Sequence, residues 1–213
     1  MDLIITAFAL IVLLFSVVIH ELAHGSVAYS LGDLTAKYQG RLTLNPLKHL
    51  DVFGSVILPL LLAFSYWTTG IYGPIIGWAK PVPINPYNFK DQKWGSLKVA
   101  VAGPLSNIAL AILFGLLIRF VPTEIHSLFT RDNFNIVDYI IRINIALALF
   151  NLIPIPPLDG HWILFTFIPN KLSRLRAFLQ QYGIFVLIFL IFFGGLNWLF
   201  RIVEYLFRLI TGI

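Results

Sequence analysis

Cysteine is absent from the chain, methionine occurs once, and only 12% of the residues are charged. Without cysteine there are no disulfides, no thiolate metal sites and no thiol nucleophile, so any metal must be held by nitrogen and oxygen. So few charges, set against 58% hydrophobic residues in a chain of 213 and a mean hydropathy of +0.85, exclude a soluble globular domain. The composition is that of an integral membrane protein. Acidic residues are outnumbered, which leaves a formal charge of +5. The lysines and arginines are scattered between apolar runs, as topology-setting charges beside anionic lipid are, and nucleic acid is not an expected partner. There is no internal repeat and no low-complexity tract, and no appended soluble domain is expected. An N-terminal signal peptide is not expected either: Asp2 replaces the basic cluster, and the first apolar run is longer than the usual ~7–15 residues.

What is present is a set of long apolar runs. Residues 3–31, 97–120, 136–155 and a C-terminal stretch, 177–210, that Gly194 and Gly195 divide into a hairpin, all read as membrane-embedded. Residues 52–67 are apolar but contain Pro59 and fall short of the ~20 residues needed to cross the hydrocarbon. Residues 32–51 and 70–94 carry extended-chain signals, with alternation over 40–46 and closely spaced prolines over 78–86, so short strands at the membrane surface are expected there. The expected fold is an all-α polytopic membrane protein with short membrane-surface β-strands, divided into a first region over 1–160 and a C-terminal helical region over 161–213.

The first apolar run contains His20-Glu21-Leu22-Ala23-His24. Ionisable groups inside a membrane are costly and mark function, and three arrive here at the H-E-x-x-H spacing. Four residues apart on a helix, His20 and His24 share a face and can present two imidazoles to one zinc ion. Glu21 stands about 100° around the helix, where it can serve as base toward a zinc-activated water without becoming a ligand. With five histidines and three glutamates in the chain, chance would produce this spacing on the order of once in several hundred such sequences.

A catalytic zinc ion usually has three protein ligands. The leading third candidate is Asp159, which follows Pro154, Pro156 and Pro157; these prolines must break the helix and free carbonyls that only a polar cavity tolerates at membrane depth. His161 is its rival. Asn107, in Gly103-Pro104-Leu105-Ser106-Asn107, and Asn151 can donate to a substrate carbonyl or oxyanion, or simply join helices. Asn144 has the same two readings, and His49 and His126, without partners in sequence, read as surface or interfacial residues.

Helix parity constrains the topology. His20 lies ~26 Å along its helix, so the histidines belong to its exit half. Asp159 reaches them only if residues 52–67 dip into the membrane, or lie along it, without crossing. That arrangement collects Lys37, Arg41, Lys48, Lys80, Lys90, Lys93, Lys171, Arg174 and Arg176 at the end near the histidines and leaves Arg131 in the opposite loop. By the positive-inside rule the site then faces the cytoplasm.

Taken together, His20-Glu21-x-x-His24, Gly103-Pro104-x-x-Asn107 and Asn151-x-x-Pro154-x-Pro156-Pro157-Leu158-Asp159-Gly160 make the chain resemble the site-2 protease family of intramembrane zinc metalloproteases. The resemblance covers residues 3–160. It implies that His20, His24 and Asp159, in preference to His161, bind one Zn2+ per chain and that Glu21 is the catalytic base. It further implies a three-helix catalytic core over 1–160 with membrane-surface strands beside it, a short form without the PDZ or CBS domains of many relatives, and a C-terminal hairpin outside the core. The activity so implied is hydrolysis of peptide bonds of transmembrane substrates within or near the cytoplasmic half of the bilayer, by a multi-pass protein of the cell (plasma) membrane. Transmembrane protein substrates and membrane lipid are the expected partners, and a homo-oligomer is allowed. The alternatives are a non-proteolytic membrane metal transporter and a His-box metalloenzyme. The second lacks histidines for another metal cluster, and the serine-type G-x-S-G and aspartyl-type G-x-G-D motifs are absent.

Overall fold

The computed structural model describes residues 3–58, 61, 64–65, 68, 78–120, 130–131 and 134–213. The opening apolar run, with no proline in it, forms a single helix, α1 (Leu3–Ser30). It stops where Gly32 turns to a φ of +107° and the Asp33 N–H closes back on the Ala28 carbonyl. A short α2 (Thr35–Tyr38) follows, and Pro46–Lys48 and Pro86–Asn88 each form one tight turn. The second long helix, α3 (Gly95–Phe120), carries Pro104 in its interior, where the missing N–H leaves the Ala100 carbonyl without its helical donor.

Asn135 caps α4 (Ile136–Asn151), its side chain accepting from the N–H groups of Val137 and Asp138. This helix ends four residues earlier than the apolar run suggests, because Pro154 disfavours helical geometry in the residue before it. The Ile153 N–H instead bonds the Phe150 carbonyl in the last turn of α4, and the N–H groups of Ile155 and Leu158 are satisfied inside the proline loop itself. After the loop come α5 (Gly160–Phe167), α6 (Ser173–Phe192) and α7 (Asn197–Thr211). The break between α6 and α7 falls at Gly194, φ +72°, as expected for the hairpin.

Helices α1, α3 and α6 are long and apolar enough to cross a membrane. At 16 residues α4 is shorter, and it runs through the middle of the bundle with Ile141 and Ile145 fully buried. The outer face of α6 presents Phe185, Phe189 and Phe192, as a lipid-facing helix does. The C-terminal hairpin does not lie wholly outside the core. Leu199, Val203 and Phe207 of α7 recur every fourth residue and are buried with Ala111, Ile141 and Ile145 in one apolar cluster.

The expected membrane-surface strands do not form among the described residues. Among the described residues the only strand pairing is a two-residue contact, Thr130–Arg131 with Phe134–Asn135, far from the segments in question. Pro81, Pro83 and Pro86 have no N–H to offer a ladder, and the donors of Lys80, Val82 and Asn85 go elsewhere. Lys80 bonds the His49 carbonyl, Val82 the Glu21 carboxylate and Asn85 the Asp33 carboxylate. The expectation for residues 52–67 falls partly outside the described residues; Val52–Ile57 is a wide helical turn capped by Asp51.

Candidate metal centre

Side-chain contacts fix how the helices run. Ser16 meets Asn107 and Asn144, while four residues further on His20 meets Asn107 and one turn later His24 meets Val99. α3 is therefore antiparallel to α1, α4 is parallel to it, and residues 31–94 leave and rejoin the bundle at one end, as helix parity requires. That end also receives the proline loop, which brings Asp159 to the histidines.

Three electron-pair donors converge there. His20 Nε2 and His24 Nε2 are 3.0 Å apart, and they lie 3.0 and 3.1 Å from Asp159 Oδ2. On the far side of each ring, His20 Nδ1 donates to Asn107 Oδ1 at 2.6 Å and His24 Nδ1 donates to the Val99 carbonyl at 2.7 Å. Because a carbonyl oxygen only accepts, the proton of each neutral ring sits on Nδ1 and the lone pair of Nε2 faces inward. Crowded lone pairs repel unless a cation lies among them. Two imidazole nitrogens and one carboxylate oxygen, each imidazole braced by a carbonyl behind it, make a donor set that fits catalytic zinc.

The bracing extends a further layer. Asn107 is completely buried, and its amide nitrogen donates to the Ser16 carbonyl and to Asn144 Oδ1, which leaves its oxygen for His20. Asn144, also fully buried, donates in turn to Ser16 Oγ and the Ile140 carbonyl. Gly103 makes room for both rings: a Cβ there would collide with the Nε2 atoms of His20 and His24. In sequence, Asn144 and Ser16 were legible only as polar residues in apolar helices and Gly103 as part of the Gly103-Pro104-x-x-Asn107 motif, and no signal pointed to the Val99 carbonyl.

A cavity of about 410 Å³ opens beside these groups, lined by Glu21, Val82, Asn151, Asp159 and Trp162 among others. Glu21 is half-buried, and its Oε2 accepts the Val82 N–H at 2.8 Å. Asn151 faces the cavity with its amide nitrogen on the Leu147 carbonyl, whereas Asn107 stands behind His20. His161 is outside the cluster; its Nδ1 bonds the Leu158 carbonyl and its ring packs on Trp162 and Phe165. The reading of His49 as a surface or interfacial residue is corrected: it is fully buried, with Nε2 on the Thr43 carbonyl. His126 lies outside the described residues.

The sequence model described as Peptidase family M50 matches residues 8–193. The chain belongs to that family. Among curated proteins it is 39% identical over 186 residues to "Putative zinc metalloprotease YwhC" of Bacillus subtilis (strain 168), covering 86% of this chain and 79% of that one. It is also 28% identical over 199 residues to "Putative zinc metalloprotease Rip2" of Mycolicibacterium smegmatis, covering 91% and 70%. A third relative, "Putative zinc metalloprotease MJ0611" of Methanocaldococcus jannaschii, is 31% identical over 155 residues, covering 69% and 63%. No solved structure matches. M50 membership, the site-2 protease family of the sequence reading, makes this a membrane metalloprotease of the zinc class, and the cluster of His20, His24 and Asp159 is where its donor set would hold the metal.

Proposed function

We propose that this M50 member is an intramembrane endopeptidase in which His20, His24 and Asp159 hold one zinc ion and Glu21 is the general base. The observation that carries the reading is the convergence of three inward-facing donor atoms beside a cavity that also contains a carboxylate, at the end of apolar helices. Zinc, when bound, supplies a Lewis acid that acidifies water and polarises a peptide carbonyl. Glu21 takes the proton of the attacking water on its free Oε1 and passes it to the leaving amide nitrogen, so that one C–N bond breaks, one C–O bond forms, and the carboxylate is regenerated. Asn107 holds His20 in the ligating tautomer. Asn151, at the cavity wall, is placed to donate to a substrate carbonyl.

Substrates of this site are transmembrane helices that unwind locally, because a carbonyl tied into helical hydrogen bonds is closed to attack. Lys37, Lys48, Lys80, Lys90, Lys93, Lys171, Arg174 and Arg176 lie in the segments that follow α1, precede α3 or follow α5, against Arg119 and Arg131 between the last turn of α3 and the start of α4. This excess supports a site facing the cytoplasm from the cell membrane. The test uses a single-span reporter with a Gly-Pro break in the half of its helix nearest the site. Glu21→Gln abolishes its cleavage in liposomes while zinc stays near one per chain; undiminished cleavage removes Glu21 from the mechanism.

A further inference from the structure

The segment from Trp78 to Asn88 crosses the mouth of the cavity and is pinned along its length. Lys80 bonds the His49 carbonyl, and Asp33 takes the Asn85 N–H and the Asn88 amide. Between these pins lies Pro81-Val82-Pro83. Neither proline has an N–H, so the tripeptide owns a single main-chain donor, that of Val82. It is given to Glu21 Oε2. The Val82 side chain is buried against α1 at Gly25, one turn beyond Glu21, where a Cβ on Gly25 would touch Val82 Cγ1.

Arg41 determines where this donor points. It is buried, 6% exposed, and its Nη2 donates to the Lys80 carbonyl at 2.7 Å and to the Pro81 carbonyl at 3.2 Å, the two carbonyls immediately before the Val82 N–H. No carboxylate pairs with it among the described residues, and its Nε has no hydrogen-bond partner there. Burying a guanidinium so incompletely is costly. A topology-setting charge would stay in water and avoid that cost. A single nitrogen, Nη2, is instead shared between two adjacent carbonyls, a role that a lysine ammonium with its three donors fills in part.

We propose that Arg41 is a positioning residue for Glu21: by holding the Lys80 and Pro81 carbonyls it presents the Val82 N–H to the Glu21 carboxylate and fixes which oxygen faces the cavity. This rests on the reading of Glu21 as the base. Arg41 touches neither metal donors nor substrate, and acts only through the strap.

The test combines hydrogen–deuterium exchange, zinc analysis and turnover of the Gly-Pro reporter on the full chain. Val82 carries the only exchangeable amide in residues 81–83, so its protection is read directly. In Arg41→Gln, Val82 exchanges at least about tenfold faster, kcat falls on the order of tenfold to a hundredfold, and KM and zinc content hold. Val82→Pro, which deletes the N–H and keeps Arg41, gives the same loss of kcat, and Arg41→Lys restores part of it. A Val82 amide still protected in Arg41→Gln, or an exposed one with full turnover, overturns the proposal. Loss of zinc in either variant also overturns it, since Arg41 would then support the whole site. Full turnover of Glu21→Gln is a separate failure, of the base itself.

Discussion

Glycine at position 103 sets how closely α3 approaches the two histidines of the proposed metal centre. The two imidazoles lie directly over its Cα, and α3 can approach α1 at this point only because no side chain intervenes. Gly103→Ala is compatible with the helix, so its effect is local: the new methyl group pushes both Nε2 atoms out of register with Asp159. Zinc affinity, measured by competition with a chelator, falls by at least about tenfold while the far-ultraviolet dichroism is unchanged. Wild-type affinity in this variant would mean that the rings sit elsewhere when the metal is bound. The buried asparagines follow the same logic one layer out, where Asn107 and Asn144 spend every available amide hydrogen on orienting His20.

The polar strap over the cavity depends on elements that would not hold together by apolar contact alone. Asp33, just past the end of α1, is almost fully buried, and its carboxylate accepts from Thr35, Asn85 and Asn88. Burial by itself raises its pKa, but these hydrogen bonds outweigh burial and hold the carboxyl below the usual carboxylate range. A lowered folded pKa means that the ionised group stabilises the fold above its unfolded pKa, and that this contribution is lost as pH falls through the folded value. Asp33→Asn therefore costs about 1–3 kcal/mol near neutrality, from donors left poorly matched, and the difference from wild type shrinks in acid. Thermal unfolding in detergent between neutral pH and pH 3 checks this, and a difference that grows toward acid has the wrong sign. At the other end of the bundle α7 is fastened differently. Its buried Leu199, Val203 and Phe207 face the core, and the Arg142–Glu204 and Arg208–Glu204 pairs on its rim are half-exposed and contribute little.

For the whole molecule, the decisive relation is that α1, α3 and the proline loop bring their polar residues to the same end. The absence of cysteine makes this simple to test in cells. Single cysteines replacing Lys48 or Lys93 are labelled by an impermeant maleimide only from the cytoplasmic side, and a cysteine replacing Thr130 only from the other. Labelling of positions 48 and 130 from one side would contradict the helix arrangement, and labelling of position 48 from outside would reverse the orientation.

Periodicity and composition were sufficient for the membrane class, for α1 and α3, for the break at Gly194 and for a histidine pair on one helical face, because each of these is decided within a few residues of chain. The early end of α4 was also written locally, in Pro154, though the apolar run hid it. Three things lay beyond local pattern. Residues 40–46 alternate like a strand and 78–86 read as extended, yet the Arg41 N–H closes back on Ala36, and the N–H groups of Lys80, Val82 and Asn85 are claimed by His49, Glu21 and Asp33 from other parts of the chain. Arg41 and His49 look like surface residues and are buried. Asp159, 135 residues from His24, stands 3.1 Å from it. Which side chain meets which hydrogen-bond partner is settled by contacts between distant segments, and those exist only once the helices have packed; the sequence alone determined the helices and the donor types, and the tertiary structure decided that they share one site.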